Sequence, residues 1–239
     1  MPASFSALPD LAPDHPLAIA HRHGNLVDLV TLGAAAGVDL LEMDVYAHQG
    51  RLEVRHARRV GPWLLEGWRL HRWGGPPLHL EDVLTSLPAG SAVMVDLKGR
   101  SADTGALVAS AMAAALPGRG YAVCSRNWGL LAAFAAVPEA RVVWSVGSRR
   151  ELRRLLRKLG EAPVWGVSVR RQLLDRTLVG RLRERAHVVM AWHVEDARRL
   201  EEVLTLGANG VICEDLEVLR TLMGRRVSTD SPHLGMHGG

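Results

Sequence analysis

Eight short apolar runs alternate with helix-patterned stretches across residues 17–223, and this rhythm limits what the chain can fold into. The runs fall at 17–22, 39–46, 92–98, 121–125, 140–146, 164–170, 187–194 and 207–215. Helix patterns follow at 26–36, 103–116, 128–136, 149–159, 172–186, 195–206 and 216–223, with a shorter one over Leu80-Glu-Asp-Val-Leu84. Near-continuous apolar strands separated by helices select a parallel sheet buried on both faces. Eight such units in one stretch argue for a closed barrel rather than an open sheet. An open doubly wound sheet is expected to carry a glycine-rich loop after its first strand. Here that place reads His21-Arg22-His23-Gly24-Asn25, without the glycine spacing. The expected fold is therefore α/β, a single-domain (β/α)8 TIM barrel over 17–223. At 239 residues and 48% hydrophobic content the chain suffices for one such core. The four prolines in residues 1–16 suggest an irregular lead-in, and 224–239 reads as a disordered tail.

The polar ends of these runs carry the chemistry. Ile19 and Ala20 lead into His21 and Arg22, and Leu40 and Leu41 lead into Glu42 and Asp44. Residues two apart on a strand share a face, so both carboxylates point the same way. Like charges so placed repel unless a proton or cation lies between them, and a hard divalent ion with oxygen ligands resolves the conflict. Asp96 and Lys98 repeat the i, i+2 pattern on the third run. They could serve each other as an internal ion pair or serve a site. Residues 51–56 alternate apolar and polar after the His48-Gln-Gly50 turn, the pattern of a hairpin arm that ends at His56. His21 and His56 then flank the carboxylates, and imidazole is the usual acid or base near neutral pH.

In their order, these segments resemble the opening of the glycerophosphodiester phosphodiesterase family. That family begins with His-Arg-Gly and a Pro-Glu-Asn-Thr, continues through a helix to Gly-x-Asp and Glu-x-Asp-Val, and soon reaches His-Asp. His21, Arg22, Asn25, Gly37-Val-Asp39, Glu42, Asp44, Val45 and His56 match. His23 interrupts the first motif, the Pro-Glu is absent, and Ala57 stands in place of the Asp after the second His. Asp96-x-Lys98 takes the place of the family's Glu-x-Lys, Trp192 matches a Trp, and 207–215 resembles a Gly-x-x-Gly-Ile-x-Thr-Asp with Glu214 in place of Thr. Asn25 also suits the N-cap of the helix at 26–36, and Asp215 suits the cap of the last helix.

The resemblance implies a metal-dependent phosphodiesterase that releases glycerol 3-phosphate and an alcohol. His21 and His56 would be the catalytic acid and base. Glu42, Asp44 and Asp96 would hold one divalent ion, Mg²⁺ or Ca²⁺, and Arg22, Lys98 and Trp192 would bind substrate and phosphate. The nucleophile would be a substrate hydroxyl next to the phosphate, giving a cyclic phosphate that water opens. Two other readings stay open: a phosphodiesterase acting on lysophospholipids or sphingomyelin, and a catalytically inactive barrel that binds phosphodiesters.

Residues 57–77 read as a long irregular loop rich in Gly, Pro, Arg and Trp. Trp63, Trp68 and Trp73 recur at five-residue intervals, which fits neither a helix face nor a strand face. The rings either plug the loop onto the barrel or form a substrate wall that touches lipid headgroups. The formal charge of +4 favours anionic partners, a phosphodiester or a membrane surface. No arginine block is interleaved with aromatics in a pattern for nucleic acid. Cys124 and Cys213 lie in apolar runs, as buried thiols do. The N-terminus shows no basic-then-apolar signal pattern, so a cytoplasmic location is expected.

Overall fold

A computed structural model describes residues 15–66, 68–72, 74 and 76–229. Its strands are β1 Leu17–Ala20, β2 Leu40–His48, β3 Arg51–Val54, β4 Arg58–Val60, β5 Trp63–Glu66, β6 Arg69–Arg72, β7 Val93–Lys98, β8 Tyr121–Ser125, β9 Ala140–Val146, β10 Val164–Arg170, β11 Ala186–Trp192 and β12 Gly210–Cys213. Helices α1 Val27–Ala35, α2 Leu80–Ser86, α3 Thr104–Ala115, α4 Arg149–Leu159, α5 Arg176–Arg183, α6 Ala197–Thr205 and α7 Leu216–Thr229 connect or follow them. β1, β2 and β7 through β12 pair in parallel around a ring, and β1 closes it by pairing with both β12 and β2. This is the expected eight-stranded TIM barrel. β3 adds to β2 as an antiparallel hairpin arm.

Strand alternation divides the apolar residues into two cores. One set lies between sheet and helices, where outward strand residues such as Leu41 and Val95 meet helix residues such as Val30, Val83, Leu155 and Leu200. The other fills the barrel with Leu17, Ile19, Leu40, Met94, Val143, Val188, Met190 and Ile212. Met190 needs room from its neighbour: a Cβ on Gly210 would lie 2.8 Å from Met190 Cγ. The interior is thus packed below, and the polar residues at the C-terminal strand ends form its upper layer.

Several boundaries depart from the sequence expectations. The loop expected over 57–77 is largely ordered: β4, β5 and β6, between Arg58 and Arg72, form a three-stranded antiparallel meander. Each strand is only three or four residues long, too short to show a period, and Gly61 makes the first turn with φ 59°. Trp73 lies outside the described residues. The stretch 128–136 is a 3₁₀ helix over Trp128–Phe134. The expected helix 172–186 is a 3₁₀ turn at Arg171–Leu173 followed by α5, because Asp175 accepts the Leu178 N–H at 2.8 Å and starts the helix there. Asp196 starts α6 in the same way, accepting from Arg199 N.

The last helix runs to Thr229, so residues 224–229 are helical rather than a disordered tail. Residues 1–14 and 230–239 lie outside the described residues. Arg226 on α7 donates to Asp39 Oδ1 at 2.9 Å and to Asp39 Oδ2, while Asp39 Oδ2 also accepts the Ala18 N–H at 2.6 Å. One carboxylate therefore ties the end of the chain to the start of the barrel. Asp39→Ala is expected to lower stability by about 2 kcal/mol, because a largely buried guanidinium and a backbone N–H lose their acceptor together. Urea unfolding checks this, with activity under native conditions unchanged. No helix among the described residues is long and apolar enough to cross a membrane.

Candidate active site

The strand register brings the acidic residues together. Asp44 on β2 is the direct partner of Asp96 on β7, and Tyr46 is the partner of Lys98. Glu42 lies two residues before Asp44 on the same inward face. Carboxylate oxygens of Glu42, Asp44 and Asp96 lie within 4.8 Å of one another. Glu42 and Asp44 are buried. The Lys98 ammonium lies 2.8 Å from Asp44 Oδ1 and donates to Asp96 Oδ2. The internal ion pair anticipated for Asp96 and Lys98 thus exists, with Asp44 as a third member.

Electrostatics separate the three acids. Burial, and then the negative charge of Asp44, push Glu42 well above the usual carboxylate range. Burial also raises Asp96, against the pull of Lys98. Burial works against the charge of Asp44 too, but Lys98 and the Asn25 amide outweigh it and hold this carboxyl low. Lys98 is raised well above its ordinary value; Asp96, Asp44 and Glu42 overcome the effect of its burial. One ammonium faces three carboxyl groups, and the buried place resists the ionisation of two of them.

Asn25 is not a helix cap. It lies in a 3₁₀ turn, His23–Asn25, and Leu26 occupies the cap position of α1 without a side-chain bond. The Asn25 amide instead donates to Asp44 Oδ2 and accepts from Asp44 N, both at 2.8 Å. A two-point contact to a buried strand residue satisfies more than an exposed cap would. Gly24 lets the turn approach β2: a Cβ there would lie 2.6 Å from Met43 Cβ.

His21 lies 4.0 Å from Glu42 Oε2 through Nε2 and 4.0 Å from Glu214 Oε2 through Nδ1. Burial, and then the Arg22 charge, lower its pKa to about 4, so the ring is neutral at pH 7. Arg22 adopts the left-handed conformation, φ 58°, and its N–H donates to Glu42 Oε2 at 2.7 Å. Its Nη2 lies 2.6 Å from His56 Nε2. A guanidinium only donates, so His56 Nε2 accepts and the neutral ring carries its proton on Nδ1. Ala57 removes the carboxylate the resemblance would place beside His56, and Arg22 holds the imidazole through Nε2.

His21, Arg22, Glu42, His56, Asp96, Lys98 and Trp192 all line one cavity of about 540 Å³ at the C-terminal end of the barrel. Asp44 lies beneath them with no exposed surface. The structure thus brings every site residue singled out in the sequence to one place. Arg126, His193 and Glu214 also line it and had no expected site role. Each lies one residue beyond a barrel strand, at the ends of β8, β11 and β12. Reading the residue after every strand would have found them. His193 has φ 63°, and its ring lies 4.9 Å from that of Trp192.

The oxygen donor set suits a hard divalent cation. Asp96 Oδ1 is buried without a hydrogen bond, which leaves an oxygen for such an ion. Glu42, Asp44 and Asp96 are the residues that would hold it.

No protein-family model and no curated protein sequence matches the chain. Solved structures do. A phosphodiesterase from Oleispira antarctica, in complex with the product sn-glycerol-3-phosphate, superposes with TM-score 0.71 at 15% identity, covering 88% of this chain and 97% of that one. A glycerophosphodiester phosphodiesterase from Parabacteroides distasonis gives 0.69 at 18% identity, with coverage of 90% and 98%. The glycerophosphodiester phosphodiesterase of Thermotoga maritima gives 0.68 at 14% identity, with coverage of 87% and 99%. Over nearly its whole length, the chain has the barrel fold of the solved glycerophosphodiester phosphodiesterases.

Proposed function

We propose that the protein is a metal-dependent phosphodiesterase that hydrolyses glycerophosphodiesters to glycerol 3-phosphate and an alcohol. The observation that carries this reading is the cavity itself. Three carboxylates meet at its floor, with His21 and His56 in its wall. The shared fold supports it, as does the glycerol 3-phosphate bound by the Oleispira antarctica protein.

Glu42, Asp44 and Asp96 hold Mg²⁺ or Ca²⁺ in this reading. What a bound ion supplies is polarisation of a phosphate oxygen. The protein's own groups do the rest. Arg22 and Lys98 place positive charge beside the phosphate oxygens, where charge grows in the transition state. Trp192 gives an apolar wall for the non-reacting part of the substrate. His21, neutral at pH 7, takes the proton of the substrate hydroxyl next to the phosphate as its oxygen bonds to phosphorus. The bond from phosphorus to the alcohol breaks, and His56, carrying a second proton and turned from its Arg22 contact, gives that proton to the departing oxygen. Water then opens the cyclic phosphate, with the two rings exchanging roles.

Purified protein tested on several glycerophosphodiesters and lysophospholipids, each with Mg²⁺, Ca²⁺ and Mn²⁺, is expected to release glycerol 3-phosphate from the water-soluble diesters. Faster release from lysophospholipids would transfer the activity to lipid diesters. Diester binding without turnover under every ion would overturn the enzyme reading.

A further inference from the structure

Trp68 is 86% exposed at the turn between β5 and β6, and three other large apolar residues of the meander are also exposed: Val60 at 45%, Trp63 at 42% and Leu70 at 55%. These residues are not scattered. Register pairs share a face, and the pairs here are Val60 with Trp63, Trp63 with Arg72, Leu65 with Leu70 and Arg58 with Leu65. One face of the meander therefore carries Val60, Trp63, Leu65 and Leu70, with Arg58 and Arg72 at its two ends. Both arginines are exposed, and no residue at these positions is acidic. Arg69, one residue out of step with Leu70 and so on the other face, lies 5.7 Å from the Trp68 ring.

A face that is apolar in the middle and cationic at its edges fits one surface best. Tryptophan and leucine enter the boundary between headgroups and acyl chains, and arginine stays with the phosphates. A second copy of the chain is a poor occupant, since a two-fold contact would set arginines against arginines. A single-stranded nucleic acid would use the rings but leave Val60 and Leu70 unmatched. The meander leaves the barrel at Arg58, two residues after His56, which lines the cavity. We infer that the β4–β6 meander is a docking element for anionic membrane, which seats the barrel with its cavity end near the lipid surface.

Adsorption is the readout, so the inference does not depend on turnover. Full-length protein is sedimented with vesicles of phosphatidylcholine alone or with added phosphatidylglycerol. Binding is expected only to the anionic vesicles and weakens as salt rises. Trp68→Ser with Leu70→Ser is expected to weaken it by about tenfold or more. Arg58→Ser and Arg72→Ser are each expected to weaken it roughly fivefold. All four positions are exposed, and far-UV circular dichroism verifies that the variants fold. Wild-type protein that stays in the supernatant with anionic vesicles overturns the inference, as does binding that the variants leave unchanged. A dimer that the Trp68 and Leu70 variant dissociates, without vesicle binding by the wild type, would make the face a self-association surface instead. A catalytically inactive protein that still binds anionic vesicles would sink the phosphodiesterase reading and leave this one standing.

Discussion

His21→Ala is expected to lower kcat for glycerophosphodiester hydrolysis by roughly 10²–10⁴-fold, the usual worth of a positioned acid or base. His56→Ala is expected to fall in the same range. The two losses should not multiply, because proton removal and proton delivery belong to one displacement and the second loss finds little left to remove. The fold should survive both. The His21 side chain is 34% exposed and holds up no apolar layer, so stability should move by no more than about 0.5 kcal/mol. Arg22→Ala tests a finer point. Its guanidinium is bonded to His56 Nε2, and its loss frees the ring to change tautomer as well as removing a charge from the phosphate site. It should therefore lower kcat and raise KM together, while His56→Ala acts mainly on kcat. The measurement is steady-state release of glycerol 3-phosphate, with thermal melts alongside. A double His21, His56 variant as active as the wild type removes both imidazoles from the mechanism.

What could be seen in the sequence is what depends on local period. Glu42-x-Asp44 and Asp96-x-Lys98 were legible because a strand puts i and i+2 on one side, and in a barrel that side is the interior. The pairing of Asp44 with Asp96 adds only strand neighbours in register. What stayed hidden depends on distant partners or on very short elements. Asn25 has the composition of a cap, and its two bonds to Asp44 are visible only once β2 is placed beside the turn. Arg226 looks like part of a polar tail until Asp39, at the other end of the chain, is brought to it. The meander escaped because its strands hold three or four residues, no more than two full alternations. Ala57 leaves His56 without the carboxylate that the resemblance places after it. The compensation came from Arg22, which no spacing rule ties to position 56.

Chelation is expected to abolish turnover, and Mg²⁺ or Ca²⁺ to restore it, while the same ions raise the melting temperature. The reason is the charge left over at the cavity floor. Lys98 compensates one carboxylate of three, and Glu42 is displaced upward because burial and Asp44 both oppose its ionisation. An ion that binds only the folded state at about 100 times its dissociation constant would add about 2.7 kcal/mol. Neighbouring acids should then respond with opposite sign. Glu42→Gln keeps an acceptor for the Arg22 N–H and removes a charge that the buried site resists. Without metal it should be as stable as the wild type or more so, yet lose the metal-induced shift and the turnover. Asp44→Asn removes the acid that Lys98 and Asn25 hold ionised, and leaves a partly buried ammonium with one partner fewer. It should lose about 1–3 kcal/mol even without metal. Melting curves of both variants, each with EDTA and with excess Mg²⁺ or Ca²⁺, separate the two effects. If EDTA leaves hydrolysis intact and no ion moves the melting temperature, Lys98 is the sole counter-ion of the cluster and the chemistry proceeds without a metal.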